Sequence, residues 1–580
     1  MISRLRAHPT VVLATLAALL VVAPVVTDPA NRALGLRFVD GFGTHWWFWY
    51  VGELIAGRQG LLHTDLFFYP TGKDVFAHTG GNLLDGLLAW PLRELFGATA
   101  GYNLWIAVVV ATNFGAGSVL GRTVTGERGW PAGVALALNP FVLQELHGGR
   151  PTQAWLAFPA LALAGVWGAK TPMRAIATGL AVAAAGWVYW YAGLVVGLLA
   201  VATGLGRLVV SPTRRRDTAL LGLAALVAAV AVAPAVLAMQ DQLRAGAVPG
   251  LLAMDGTGLL APLAMRTQEG EAAGLHVLAP LAGVAGALFE EDGKLHFSAG
   301  PPSLAFAGVG AAVIAGVLAA RARRPAALVL ALTLAALSFL AAAGPAIVVG
   351  DTFLANRPWI WAAAHVDLIR RWWWPGRAIF GVFLAIAAVV PWLGRVRGLP
   401  WLFAAASVVE LWRTAQLPLD TWDAHPPAPL VCLADAAPGA VIDLPFLSDQ
   451  RNLWFQTIHH QPLLSGMLVK QPAFGSRSAL QLRKDNAFLD LVLDYGELQV
   501  TRDPAFDDAG RIDLLARGFR YVVVDETRFE GAAAGRGGGL QKGSAWPRAR
   551  RLLAPALGEP AADRDGVAVY TLDRSPLPCP

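Results

Sequence analysis

Long apolar runs, broken at intervals by short basic turns, fill the first 415 residues of the chain. An opening run over 11–26 is followed by others near 102–121, 130–146, 152–169, 175–190, 192–210, 218–238, 303–320, 326–343, 378–394 and 399–415. Each is close to the ~20 residues with which an α-helix crosses a bilayer, so the pattern predicts about eleven spans, some short or tilted. Arg4 and Arg6 precede the first run. No small-x-small cleavage site follows it and more spans come after, so it reads as a retained anchor in preference to a signal peptide.

The turns fix an expected orientation. Arg122 and Arg128, Lys170 and Arg174, Arg207 with Arg214, Arg215 and Arg216, Arg321 with Arg323 and Arg324, and Arg395 with Arg397 fall in alternate turns. Basic residues in short loops mark the cytoplasmic side, which places the N-terminus inside. An odd number of spans then puts 27–101, 239–302, 344–377 and everything after about 416 outside. The tail is less apolar and opens with Pro426, Pro427 and Pro429. Its strand-like runs (Val441-Ile442-Asp443-Leu444, Tyr521-Val522-Val523-Val524, Val567-Ala568-Val569-Tyr570) alternate with helix-like segments over 477–495 and 508–517. The expected fold is mainly α: a polytopic membrane helical bundle over 1–415, with a soluble, extracytoplasmic α/β domain over 416–580.

Composition excludes two function classes. At 55% hydrophobic and 15% charged the chain is too apolar for a soluble enzyme. The net charge of +6 resides in inter-span turns and not on one face, so no nucleic-acid partner is expected. Cys432 and Cys579 are the only cysteines, and without Cys-x-x-Cys or Cys/His spacing they do not describe a zinc site. Richness in Ala, Gly, Arg and Pro suggests a high-GC bacterium, which would make the bilayer a plasma (inner) membrane.

Candidate chemistry collects in the outer segments. In the first, Val39-Asp40-Gly41-Phe42-Gly43-Thr44-His45-Trp46-Trp47 leaves the bilayer, and Thr64-Asp65-Leu66-Phe67-Phe68-Tyr69-Pro70-Thr71-Gly72 follows. An early loop Asp with a later Phe-Tyr-Pro-x-Gly segment resembles the C-type superfamily of membrane glycosyltransferases. Those enzymes transfer sugars from polyprenyl-phosphate donors on the outer face of the membrane. The plan of many spans, a long first outer loop and a soluble C-terminal domain is similar too, so the resemblance covers the chain loosely. It implies that Asp40 matches the first-loop acid of the family, the catalytic base. A carboxylate is chemically suited to take the proton of an acceptor hydroxyl. The alternative is a helix cap. Asp65 is a second acid or a metal ligand, set against a solvated turn residue.

The loop His147-Gly148-Gly149-Arg150-Pro151-Thr152-Gln153 faces the same compartment, and 344–377 carries Arg357, Arg370, Arg371 and Arg377 beside Trp372, Trp373 and Trp374. Outer-side arginines run against the positive-inside trend, and guanidiniums match a phosphate bidentately. His45, His147, Arg150, Gln153, Arg357, Arg370, Arg371 and Arg377 are therefore the candidate substrate contacts, with interfacial anchoring as the alternative. Aromatic residues Trp187, Tyr189, Trp190 and Tyr191 read as an interfacial belt. A divalent cation, Mg or Mn, suits the ligand types in the first loop, but no spacing is diagnostic.

The function implied is sugar transfer, hexosyl or pentosyl and inverting, from a polyprenyl-phosphate donor to an envelope glycan, lipid or protein. Two other classes compete with it: a lipid-linked glycan flippase, and a non-catalytic envelope-assembly protein. A proton-coupled carrier needs a buried acid or histidine within the spans, and the sequence offers only Glu145, at a span end.

Overall fold

The apolar runs fold as helices in a computed structural model that describes residues 9–37, 39–74, 83–244, 271–272, 275–276, 287–291, 294–298, 306–322, 325–344, 346–349, 352–366, 369, 375–446, 450–466, 477–496, 508–529 and 545–578. Among these, five helices are long and apolar enough to cross a membrane: Ala98–Thr125, Trp190–Val210, Arg214–Gln240, Pro325–Ala342 and Pro375–Arg395. Shorter apolar helices cover Pro9–Val25, Pro172–Val188 and Phe306–Arg321. Two runs read as single spans are divided. The first becomes Trp130–Ala137 and Pro140–His147, the second Pro151–Ala154 and Ala157–Gly168. Proline explains the first break. Pro140 disfavours the α conformation at the residue before it, and Asn139 is extended there. The Asn139 side chain then accepts from Val142 N at 3.0 Å, starting the new helix.

The chain divides into two compact units, one of Met1–Leu36 with Gly80–Trp422 and one of Arg37–Thr79 with Asp423–Pro580. In the first unit Ala98–Thr125 packs against Pro9–Val22, Trp130–Ala137, Ala157–Gly168 and Phe380–Val389. Small residues let these backbones approach: a Cβ on Gly117 would lie 2.6 Å from Ala132 O. Every residue of Phe380–Val389 is buried, as a helix apolar all round requires. Arg214–Arg244 instead exposes apolar side chains such as Leu226 and Val230, the face expected against lipid.

The two ends of this unit differ chemically. At one, Arg207 donates to Val166 O at 2.8 Å and to Asp217 at 2.5 Å, Arg216 donates to Lys170 O, and Arg395 meets Glu127 at 2.8 Å. These are the basic turns read as cytoplasmic. The other end of Pro172–Val188 stops at Tyr189, which meets Arg377.

The second unit holds a four-stranded sheet in the order Ala440–Leu444, Phe519–Asp525, Val567–Thr571, Ala562–Arg564. The first pair is parallel, with Asp443 opposite Val523, and the others are antiparallel. Ala440–Leu444 and Val567–Thr571 are buried throughout, because this sheet is covered on both faces. Helix Val39–Ile55 packs against Arg451–His459. Cys432 is disulfide-bonded, and the other cysteine, Cys579, lies outside the described residues.

Candidate functional site

In the first unit the site is built from a helix end. Pro140–His147 stops at Gly148, and Gly149 takes φ +72°, a left-handed turn open to glycine. The chain doubles back so that Arg150 N donates to Glu145 O at 2.8 Å. The Arg150 side chain lies over Gly148, where a Cβ would come within 2.6 Å of the guanidinium carbon. Its Nε donates to Glu145 Oε2. Glu145 Oε1 stands 3.7 Å from Nε of Arg377, which comes from the 3-10 turn Pro375–Ile379. Arg377 Nη1 donates to the Tyr189 hydroxyl at 2.9 Å. Tyr189 is extended between two helices and touches Tyr191 edge-on. Two predicted arginines, 227 residues apart in sequence (377 − 150), therefore flank one carboxylate.

His147 lies beside them. Its Nε2 is 2.8 Å from Asp420 Oδ2, and its backbone oxygen accepts from Leu36 N at 2.6 Å. Gln153 Oε1, a buried atom, has no hydrogen-bond partner among the described residues. Thr152 donates to Asp85, which is fully buried on Leu83–Phe96. Burial pushes the Asp85 carboxyl up to about 7, against the opposing hydrogen bond from Thr152. Arg357 is exposed at the start of Arg357–His365. Arg370, Arg371 and the three tryptophans after them lie outside the described residues.

Several residues here escaped the sequence reading. That reading found no acid buried as a proton carrier needs, and the structure corrects it: Glu145 and Asp85 are both buried. Glu145 is compensated by guanidiniums, and Asp85 sits on a helix outside the apolar spans. A lone acid inside Leu83-Leu84-Asp85-Gly86-Leu87-Leu88 was the available signal. The belt reading of Tyr189 is also incomplete, since its hydroxyl accepts from Arg377.

In the second unit Asp40 occupies the first turn of Val39–Ile55 and is half-buried. A carboxylate there is favoured by the helix dipole. Thr44 Oγ1 donates to its backbone oxygen at 3.0 Å. Further along the helix His45 is 2% exposed, and Trp46 stacks on Tyr50 at 4.7 Å while donating to Gln456 at 2.7 Å. Asp65 is exposed, 3.4 Å from Gln59 Nε2. The aromatic segment behind it is a structural seam. Phe68 N donates to Ser465 O and Tyr69 N to Leu463 O, while Leu463 N returns to Leu66 O, all within 2.9 Å. Tyr69 reaches Arg517 O at 3.1 Å.

A second ion network lies where the two parallel strands end. Arg451 donates to Asp525 and Thr527, Arg528 lies beside Asp443 and Asp525, and Ser465 N donates to Asp443 at 3.3 Å. Burial raises both the Asp443 and the Asp525 carboxyls. Among the described residues no group of three or more His, Cys, Asp or Glu side chains gathers as a metal ion requires.

No protein-family model matches the chain, and no curated protein matches it. Solved structures do. The oligosaccharyltransferase of Archaeoglobus fulgidus, in a complex with Zn and sulfate, aligns over 93% of this chain and 70% of its own at 13% identity, TM-score 0.50. The arabinofuranosyltransferase AftD from Mycobacteria aligns over 90% of this chain at 17% identity, TM-score 0.51, and this chain spans 36% of its length. Likeness at such identity establishes the fold. The chain has the fold of these oligosaccharyltransferase and arabinofuranosyltransferase structures.

Proposed function

We propose that the chain is an integral membrane glycosyltransferase of the bacterial inner membrane. It moves a sugar, with inversion, from a polyprenyl-phosphate donor to an envelope glycan, lipid or protein on the outer face. The N-terminus is cytoplasmic and residues 416–580 are extracytoplasmic. The observation that carries this reading is the convergence of Arg150 and Arg377 on Glu145, in a chain of this fold.

The acceptor hydroxyl attacks the anomeric carbon, the carbon–oxygen bond to phosphate breaks, and the proton passes to Asp40. The leaving phosphate gathers charge as that bond breaks, and Arg150 and Arg377 are the donors assigned to it. His147 and Gln153 border the arginines on their own helix end. His45 is too buried to be assigned a substrate contact.

The test is Asp40→Asn in detergent-purified protein, with a radiolabelled polyprenyl-phosphate hexose or pentose and envelope acceptors. Removing a general base costs about 100- to 10,000-fold in turnover. Full transfer by a folded Asp40→Asn protein would remove Asp40 from the chemistry.

A further inference from the structure

Resting on the reading of Arg150 as a donor-phosphate contact, we infer that Asn113 is its positioning residue, acting through the backbone of Ala154. Asn113 lies within the long helix Ala98–Thr125 and is 0% exposed. Its amide spans the break between Pro151–Ala154 and Ala157–Gly168. Nδ2 donates to Ala154 O at 2.8 Å, and Oδ1 accepts from Leu156 N at 2.8 Å. Ala154 N in turn donates to Arg150 O at 3.1 Å, as does Gln153 N. Two hydrogen bonds thus lead from the Asn113 side chain to the Arg150 backbone.

The two helix breaks of this unit are fastened differently. At the first, Asn139 serves its own turn: its side chain accepts from Val142 N and donates to Ala135 O and Leu136 O. At the second, neither Arg150 nor Leu156 caps its helix with its side chain. The fastening comes from another helix, 41 and 43 residues away in sequence. A local cap closes a turn and travels with it, whereas an amide supplied by a packed span fixes the turn against the bundle. Non-helical backbone in an apolar interior needs such partners. Which groups they are gives the amide its second role, since Ala154 is a residue that closes on Arg150. Neighbouring contacts act the same way. Trp155 donates from Nε1 to Thr112 Oγ1 at 2.8 Å and meets Trp105 edge-on, both on the helix of Asn113. Thr152 is tied to Asp85.

The test is a double-mutant cycle on the detergent-purified full chain, reading the affinity for farnesyl phosphate, a short isoprenoid monophosphate, by calorimetry. Arg150→Ala is expected to weaken binding about tenfold, the loss of roughly one charge-assisted hydrogen bond. Asn113→Ala weakens it by no more than that factor and adds nothing further in the Arg150→Ala background, because the two act as one unit. Asn113→Asp restores wild-type affinity, since a carboxyl buried in an apolar span stays neutral and keeps one donor and one acceptor. Where Asn113→Ala does not fold, Thr112→Val takes its place in the cycle. It removes the acceptor of Trp155 at an exposed position. Its expected loss is about threefold, the scale of one neutral hydrogen bond, and again appears only while Arg150 is present.

Losses that add in full to that of Arg150→Ala, or wild-type affinity in the folded Asn113→Ala and Thr112→Val proteins, overturn the inference and leave Arg150 at its phosphate. A wild type that binds no farnesyl phosphate, or an Arg150→Ala protein that binds it unchanged, refutes the phosphate reading itself.

Discussion

Each unit of the molecule contains a buried network of arginine and carboxylate, and the two differ in exposure. In the second unit Arg451 and Arg528 face Asp443 and Asp525. All four are less than a tenth exposed. In the first unit Arg150 and Arg377 both face Glu145, and the guanidiniums keep some surface. A network closed from solvent ties strand ends together. Two guanidiniums that keep some surface are suited to receive an anion. Identical side-chain chemistry therefore serves cohesion in one place and, in the function proposed, recognition in the other.

The largest effect expected from this contrast is on stability. Arg451→Ala takes from Asp525, which is 1% exposed, its bonded guanidinium, with Thr527, Arg528 and Arg37 as the other groups beside it. Removing one member of a buried pair costs about 3–5 kcal/mol. Thermal unfolding of the purified protein is expected to shift accordingly, while the KM for donor in the surviving folded fraction stays at the wild-type value. A stable Arg451→Ala protein with a raised donor KM would break the comparison.

How far the sequence revealed these networks depends on separation along the chain. Arg150 stood out because it follows paired glycines on a side that charge rules leave poor in arginine. Arg377 stood out for the same reason. Their common partner did not, since Glu145 and Arg377 are 232 residues apart (377 − 145) and no periodicity links two helix ends. Apolar runs located the helices, but the break at Asn139 needed Pro140 to be weighed above the hydropathy of 130–146. The Phe-Tyr-Pro segment was legible as a family feature and not as a seam, because its hydrogen bonds run to residues 463 and 465. Asp85 was passed over entirely. Nothing local shows that a helix will turn one acid inward onto Thr152.

Asp85 gives the next effect, as a buried acid bonded to Thr152 with no arginine bonded to it among the described residues. Its folded value of about 7 lies above the ordinary 3.8. The folded protein thus keeps a proton that the unfolded chain gives up. The associated stability is complete below about pH 4 and lost as pH rises through 7. Between pH 5.5 and 7.5 the loss is roughly 2 kcal/mol at ~1.4 per unit. Asp85→Asn, neutral at every pH, is expected to flatten the thermal midpoint over that interval. A wild-type midpoint already flat there would show that Asp85 titrates as an ordinary surface acid.

The smallest effect decides the most. Arg377→Ala leaves Glu145 bonded to Arg150, so no buried charge is stranded and the thermal midpoint should move little. What it removes is one of the two guanidiniums assigned to phosphate. Donor KM is expected to rise about tenfold, the loss of roughly one charge-assisted hydrogen bond. Arg377→Lys keeps the charge without the planar fork and should fall between the two. The opposite pattern, a collapse in stability with donor KM unchanged, would mean that the network in the first unit is cohesive like its counterpart and holds no substrate phosphate.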